Sequence, residues 1–237
     1  MKRQDLQIEV CANGVESCVA AQAGGADRVE LCAGMSEGGT TPSYGEILTA
    51  RKLLQATKLH VIIRPRGGNF AYTPLELERM VADIEICRQL GVDGVVFGCL
   101  TPDGDIDTKA CQQLLQHVGG MGTTFHRAFD RCHAPLDALD TLVGLGFDRI
   151  LTSGQQPTAE QGIPLLAQLC QYASNRIAIL AGSGINEQNI ARICAETHVR
   201  EFHFSAREPI GAGDEEFGSQ QMTSARKVEA IIQQLLT

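Results

Sequence analysis

No apolar run in the chain approaches the roughly 18 residues that a membrane span needs, so no spanning segment is expected. Basic residues are outnumbered, 20 Lys and Arg against 28 Asp and Glu. The resulting net charge of −8 sets aside nucleic acid and anionic membrane as partners. There is no Cys-x-x-Cys, no His-x-x-x-His and no methionine repeat, so no dedicated metal trap of those kinds is predicted. Linkers, low-complexity stretches and composition breaks are also missing, which points to one domain over residues 1–237. The opening Met1-Lys2-Arg3-Gln4-Asp5 leads into a strand pattern with no apolar signal region before it. The nine cysteines are scattered, odd in number and mostly set in apolar periodic segments. That is the usage of a reduced protein whose thiols act as small hydrophobes, and the cytoplasm is the expected compartment.

Short apolar runs alternate with helical patterns from end to end. Strands are predicted at 7–11, 27–31, 59–63, 93–97, within 123–130, and at 148–151, 176–180 and 200–204. Helix starts are marked by Asn13 with Glu16, by Thr73-Pro74 with Glu76, by Asp107, by Pro135, by Thr158 with Gln161 and by Asn186. Gly25-Ala26-Asp27-Arg28-Val29, Gly91-Val92-Asp93-Gly94-Val95 and Gly146-Phe147-Asp148-Arg149-Ile150 are one phrase. It introduces strands two, four and six, as if pairs of βα units recurred. Eight units of roughly 25 to 30 residues predict a single-domain (β/α)8 TIM-like barrel, and the even repeat favours closure over a doubly wound open sheet.

In such barrels the chemistry sits at the carboxyl ends of the strands. The first two strands end alike, in Glu9-Val10-Cys11 and Glu30-Leu31-Cys32. Period-two geometry puts each Glu and its Cys on one face, and an unpaired carboxylate is too costly on the face buried under helices. The predicted mouth therefore collects Glu9, Glu30, Arg64, His126 and His203, with Arg66, Arg127 and Asp130 at the rim. Acids and bases in one low-dielectric bowl shift each other's pKa values, so Glu9, Glu30, Arg64 and His126 are the catalytic candidates. The structural alternative is an ion-pair network of Glu9, Glu30 and Arg64 filling the barrel.

Gly182-Ser183-Gly184 after the seventh strand and Ser205 after the eighth stand where barrels often bind phosphate; with Arg66 they are the anion-binding candidates. Adjacent strands run about 4.8 Å apart, so inward Cys11 and Cys32, joined by Cys99 beyond strand four, could hold a soft ion such as Cu(I). The alternative is buried thiols in apolar packing. Residues 207–222 are expected to form a flexible loop over the mouth.

Glu9-Val10-Cys11, the 25–32 and 37–43 stretches, Ile63-Arg64-Pro65-Arg66-Gly67-Gly68, Thr124-Phe125-His126-Arg127-Ala128-Phe129-Asp130 and Leu151-Thr152-Ser153-Gly154 together resemble the CutC family. The likeness runs from residue 7 to about 206. It implies a (β/α)8 barrel, a cytoplasmic location, a homodimer or higher homo-oligomer, and a part in copper homeostasis. The implied Cu(I) ligands are Cys11 and Cys32. The segment 207–222 departs from the longer Ser/Met/Tyr-Arg segment usual in the family. Two functions follow as expectations: copper binding, or barrel enzymology. In the second, His126 and a mouth glutamate exchange protons on a small anionic or phosphorylated metabolite held by Arg64 and Arg66.

Overall fold

A computed structural model describes residues 3–214 and 218–236. Eight parallel strands close into a barrel in sequence order: β1 Gln7–Ala12, β2 Arg28–Leu31, β3 Lys58–Ile62, β4 Gly94–Phe97, β5 Gly122–Phe125, β6 Arg149–Thr152, β7 Ala178–Gly182 and β8 Glu201–Phe204. Around it run α1 Val15–Ala23, α2 Tyr44–Leu53, α3 Pro74–Gln89, α4 Thr108–Val118, α5 Pro135–Leu145, α6 Ile163–Ala173, α7 Ile190–Thr197 and α8 Ala225–Gln233. No helix among the described residues is long and apolar enough to cross a membrane.

The repeated Gly-x-Asp phrase has a mechanical cause. Asp27 Oδ2 accepts from Ile8 N at 2.7 Å, Asp93 Oδ2 from Leu59 N at 2.8 Å and Asp148 Oδ2 from Thr123 N at 2.7 Å. Each aspartate thus ties the start of its own strand to the start of the strand before it, satisfying a donor that the ladder leaves open. The glycine two residues earlier takes φ of +87°, +69° and +87° at Gly25, Gly91 and Gly146, a backbone shape that favours residues without a Cβ.

The main apolar core lies outside the barrel, between strands and helices. Ile8, Val10, Val29, Leu31, Leu59, Val61, Phe97, Phe125 and Ile150 are fully buried there, and Phe147 packs its ring 5.2 Å from Phe97 and 5.4 Å from Phe125. The alternate positions face inward and are unusually polar: Glu9, Arg28, Glu30, His60 and Thr124. The period of two that makes each outer face apolar sends these groups to the axis. Glycines on the strands make room for large neighbours. A Cβ on Gly94 would stand 2.4 Å from the His60 ring, and one on Gly182 3.1 Å from His203 Cβ.

Several local expectations are corrected. Asn13 does not cap α1: the N-cap is Gly14 (φ 108°), and the Asn13 side chain instead accepts from Ser17 Oγ at 3.0 Å and donates to Gln221 O at 2.6 Å. The helix expected from Thr158 begins at Ile163, because Thr158 Oγ1 takes Gln161 N within a turn. Asn186 folds a turn onto Gln188 N, so α7 starts only at Ile190. The stretch expected as a loop at 207–222 pairs as an antiparallel hairpin, β9 Arg207–Asp214 with β10 Gly218–Thr223. Part of that stretch, 215–217, lies outside the described residues, as do 1–2 and 237. Thr73 and Glu76 form the expected reciprocal cap of α3.

Candidate functional site

The register of β1, β2 and β8 stacks polar side chains in levels up the barrel axis. Glu9 stands beside Arg28 and His203, and one step higher Cys11 stands beside Glu30. Glu9, fully buried, ion-pairs with Arg28, whose guanidinium also holds Glu201 at 2.7 Å; Arg149 reaches Glu201 at 3.2 Å. His203 Nδ1 meets Glu9 Oε1 at 2.7 Å while its Nε2 lies 3.5 Å from Glu30 Oε2. His203 therefore joins the closed ionic floor to the open mouth.

Burial pushes the Glu9 carboxyl up, but Arg28 and the His203 hydrogen bond outweigh it and hold it well below the usual carboxylate range. Glu30 forms no ion pair with an arginine among the described residues, and burial lifts it to about 8 against the pull of His203. Burial works against the His203 charge, yet its bond to Cys11 and the two carboxylates raise it well above an ordinary imidazole. Above them Cys11 Sγ and Cys32 Sγ are 3.9 Å apart. The Cys32 hydrogen bond to Cys11 holds the Cys11 thiol well below its ordinary value despite burial, and His203 adds to this; Cys32 is raised in turn. One donor atom each from Cys11, Glu30 and Cys32 falls within 4.8 Å of the others.

These groups form part of the lining of a cavity of about 630 Å³ at the carboxyl ends of the strands. Ile62 and Leu151 contribute apolar wall, Arg64, Phe70 and His126 another side, and Arg127, Asp130 and Arg131 the rim. His126 is neutral: burial and the nearby Arg64 charge take it down to about 3. Its Nδ1 accepts from Ala128 N at 3.3 Å, its Nε2 has no partner, and its ring lies 4.9 Å from Phe70.

The cavity thus brings together Glu30, Arg64, His126, Cys11 and Cys32, with Glu9 directly beneath. The imidazole bonded to Glu9 and Glu30 is His203, while His126 stands on the cavity wall without a carboxylate partner among the described residues. Nor is Arg64 part of an ion-pair network with those glutamates. It donates to the carbonyls of Glu37 and Gly39, both at 2.7 Å, and of Gly68 at 3.0 Å, because the 37–39 and 67–68 loops fold over it. Arg66 is turned away from the cavity by Glu76, the capping glutamate of α3, and by the carbonyls of Gly67, Asn69 and Ala71. Gly182, Ser183, Gly184 and Ser205 do not line the cavity either. Gly182 makes space for Leu151 and His203, Gly184 packs on Thr158, and the carbonyls of Ser183 and Ser205 accept from Ala159 N and Thr223 Oγ1. Cys99 packs in the outer core, away from the Cys11–Cys32 pair. Asp130 binds Arg127 at 2.7 Å and Thr152 Oγ1 at 2.5 Å and accepts from Ser153 N and Gln155 N, fixing the loop after β6.

Sequence reasoning missed Arg28, His60, Arg149 and Phe70. The first three were accessible to it: Arg28 lies two residues before Glu30, so the count that sent Glu30 inward sends Arg28 inward too. Phe70 sits in a loop, where no periodicity speaks.

The CutC family model matches residues 6–208. The chain belongs to the CutC family. A CutC-named protein of Bacteroides thetaiotaomicron is 66% identical over 204 residues, covering 86% of this chain and 82% of that one. The human "copper homeostasis protein cutC homolog" is 48% identical over 206 residues, 87% of this chain and 75% of its own length. A crystal structure of a CutC protein from Streptococcus agalactiae superposes with a TM-score of 0.81 at 39% identity, covering 84% of this chain and 98% of that one. Phosphoribosyl anthranilate isomerase from Thermotoga maritima, 12% identical with a TM-score of 0.60 over 98% of each chain, shares the barrel alone with this CutC member.

Proposed function

We propose that this CutC protein binds Cu(I) through Cys11 and Cys32 and takes part in copper handling. The observation that carries this is the pair of sulfur atoms 3.9 Å apart at the wall of a cavity that gives an ion a way in. Thiolates are soft ligands that favour Cu(I) over hard cations, and the site offers two of them with a single carboxylate nearby. Two thiols that lose their protons to one Cu(I) leave one negative charge, which the His203 imidazolium beside Cys11 offsets. The copper homeostasis name of the human relative points the same way. An anaerobic Cu(I) titration against a chromophoric competitor tests it. One equivalent should bind, and Cys11→Ser with Cys32→Ser should weaken binding by about a hundredfold or more. Equal affinity in the double variant would sink the reading.

A second reading, a barrel enzyme doing acid–base chemistry on a small metabolite, is favoured by a different observation. Glu9 and Glu30 share one histidine yet are driven in opposite directions, one held ionised and one kept protonated near neutrality. Such divergent pairs are how one site supplies both an acid and a base. Incubation with a metabolite extract, followed by mass spectrometry, should show a species consumed by wild type and spared by His203→Asn. An extract left unchanged by wild type counts against it.

A further inference from the structure

The cavity is of metabolite size, whereas a single ion would fill a small part of it. His126 follows β5, across the closed barrel from β1 and its Cys11. His126 Nε2 and Arg64 Nε are buried without a hydrogen-bond partner, each on a residue only 4% exposed, and Tyr72 Oη, likewise unpartnered, stands beside Arg64. The His126 and Arg64 side chains line the cavity and flank the same ring, with Arg64 Cζ 5.1 Å and the His126 ring 4.9 Å from the centre of Phe70. Such orphans are uncommon in folded proteins and call for a partner.

Their chemistry specifies that partner. Three of the other four guanidinium N–H groups of Arg64 are taken by backbone carbonyls, which solvate the charge without neutralising it. Among the described residues no carboxylate stands within ion-pair distance of Arg64, whereas Arg28, equally buried, has both Glu9 and Glu201. A buried cation without a counter-charge is costly, and an anion entering the cavity would relieve that cost. Since Nδ1 of His126 accepts from Ala128 N, the ring proton sits on Nε2, where it can donate to a ligand oxygen. Gly98 leaves the space this ring position needs, since a Cβ there would be 2.7 Å from His126 Nδ1. An imidazole N–H and a guanidinium without a counter-charge on one cavity wall suit a carboxylate. A phosphate would call for the glycine-rich amides of 182–184, which lie outside the lining. The apolar sides of Ile62, Leu151 and Phe70 fit a short carbon body.

We propose that the cavity binds a small organic acid as its anion, the carboxylate being received by Arg64 Nε–H and His126 Nε2–H. This goes beyond the copper reading and does not depend on it. The test is thermal-shift and calorimetric titration of the whole protein with two- to six-carbon mono- and dicarboxylates, with inorganic phosphate and glycerol as controls. At least one carboxylate should raise the melting temperature in a concentration-dependent way. His126→Phe keeps an aromatic ring against Phe70 but removes the donor, and should weaken that acid by about tenfold to a hundredfold. His126→Gln, which restores an N–H, should recover part of the loss. Arg64→Lys, which keeps the charge but not the Nε–H, should also weaken binding; if it fails to fold, the His126 pair of variants still decides. Binding should persist within about twofold in the Cys11→Ser, Cys32→Ser variant, so failure of the copper reading leaves this result standing. The proposal is overturned if no carboxylate in the series shifts wild type at millimolar concentration, if phosphate or glycerol shifts it as much, or if His126→Phe binds the acid as tightly as wild type.

Discussion

At the level of Glu9, Arg28, Glu201 and Arg149 every charge in the barrel has an opposite charge beside it. One step up the axis, Arg64 has carbonyls and rings but no carboxylate among the described residues, His126 shows an unpartnered N–H, and Cys11, Cys32 and Glu30 face a cavity. The same residue types serve both regions; they differ in whether pairing is complete inside the protein. Complete pairing makes a floor that holds the strands in register, whereas incomplete pairing leaves the molecule with something to gain from a ligand. His60 and Tyr72, each with a buried unpartnered polar atom, lie outside the cavity lining. The His60 ring packs against Gly94, and Tyr72 Oη stands beside Arg64.

Breaking the floor should have the largest effect. Arg28→Met leaves Glu9 and Glu201 without their shared cation and should cost about 3–5 kcal/mol, read from urea or guanidinium unfolding. A loss below about 1 kcal/mol would mean that the floor is not what holds this end of the barrel, and the contrast would fail.

Acid should act next, through the two neutral histidines. His60 and His126 are both taken down to about 3 by burial, against an unfolded value near 6.5. A base with a depressed folded pKa binds fewer protons folded than unfolded, so its contribution is complete above pH 6.5. It is lost as pH falls towards 3. Each should add a slope of at most about 1.4 kcal/mol per pH unit between pH 6 and pH 4. Because Glu9 and Glu30 also titrate, the informative quantity is the difference between wild type and His126→Phe, which should unfold with a visibly shallower acid slope. Parallel slopes would show that His126 is already protonated or accessible to water.

Overpacking the floor should cost less. Gly94→Ala places a methyl group 2.4 Å from the His60 ring and should destabilise by about 1–3 kcal/mol, leaving carboxylate binding intact in the folded fraction. The smallest effect is expected at the glycine-rich loop. Ser183→Ala should change affinity for any anion bound in the cavity by less than about twofold, because Ser183 lies outside the lining. A larger drop would return the anion site to the loop after β7.

Much of this could be read before folding. The paired Glu-x-Cys strand ends, counted by twos, sent Glu9, Cys11, Glu30 and Cys32 inward, and the recurring Gly-x-Asp phrase marked pairs of βα units. His126 was assigned to the mouth for the same reason and lies there. What misled was the assumption that residues assigned to one bowl bond to one another. Arg64 and Arg66 leave their strand as neighbours, but the carbonyls of 37–39 and 67–68 claim the first and Glu76 claims the second. Caps were misread where a side chain found a distant partner, as Asn13 did in Gln221.

The period of two and the spacing of helix signals, which are local properties, by themselves determined the closed barrel with a polar axis. Pairing is not local. His203 reaches Glu9 across 194 positions of chain, and Arg28 reaches Glu201 across 173, because barrel closure makes β8 the neighbour of β1. Only the tertiary structure could decide which inward charges are spent on one another and which, like Arg64 and the His126 N–H, are left facing the cavity.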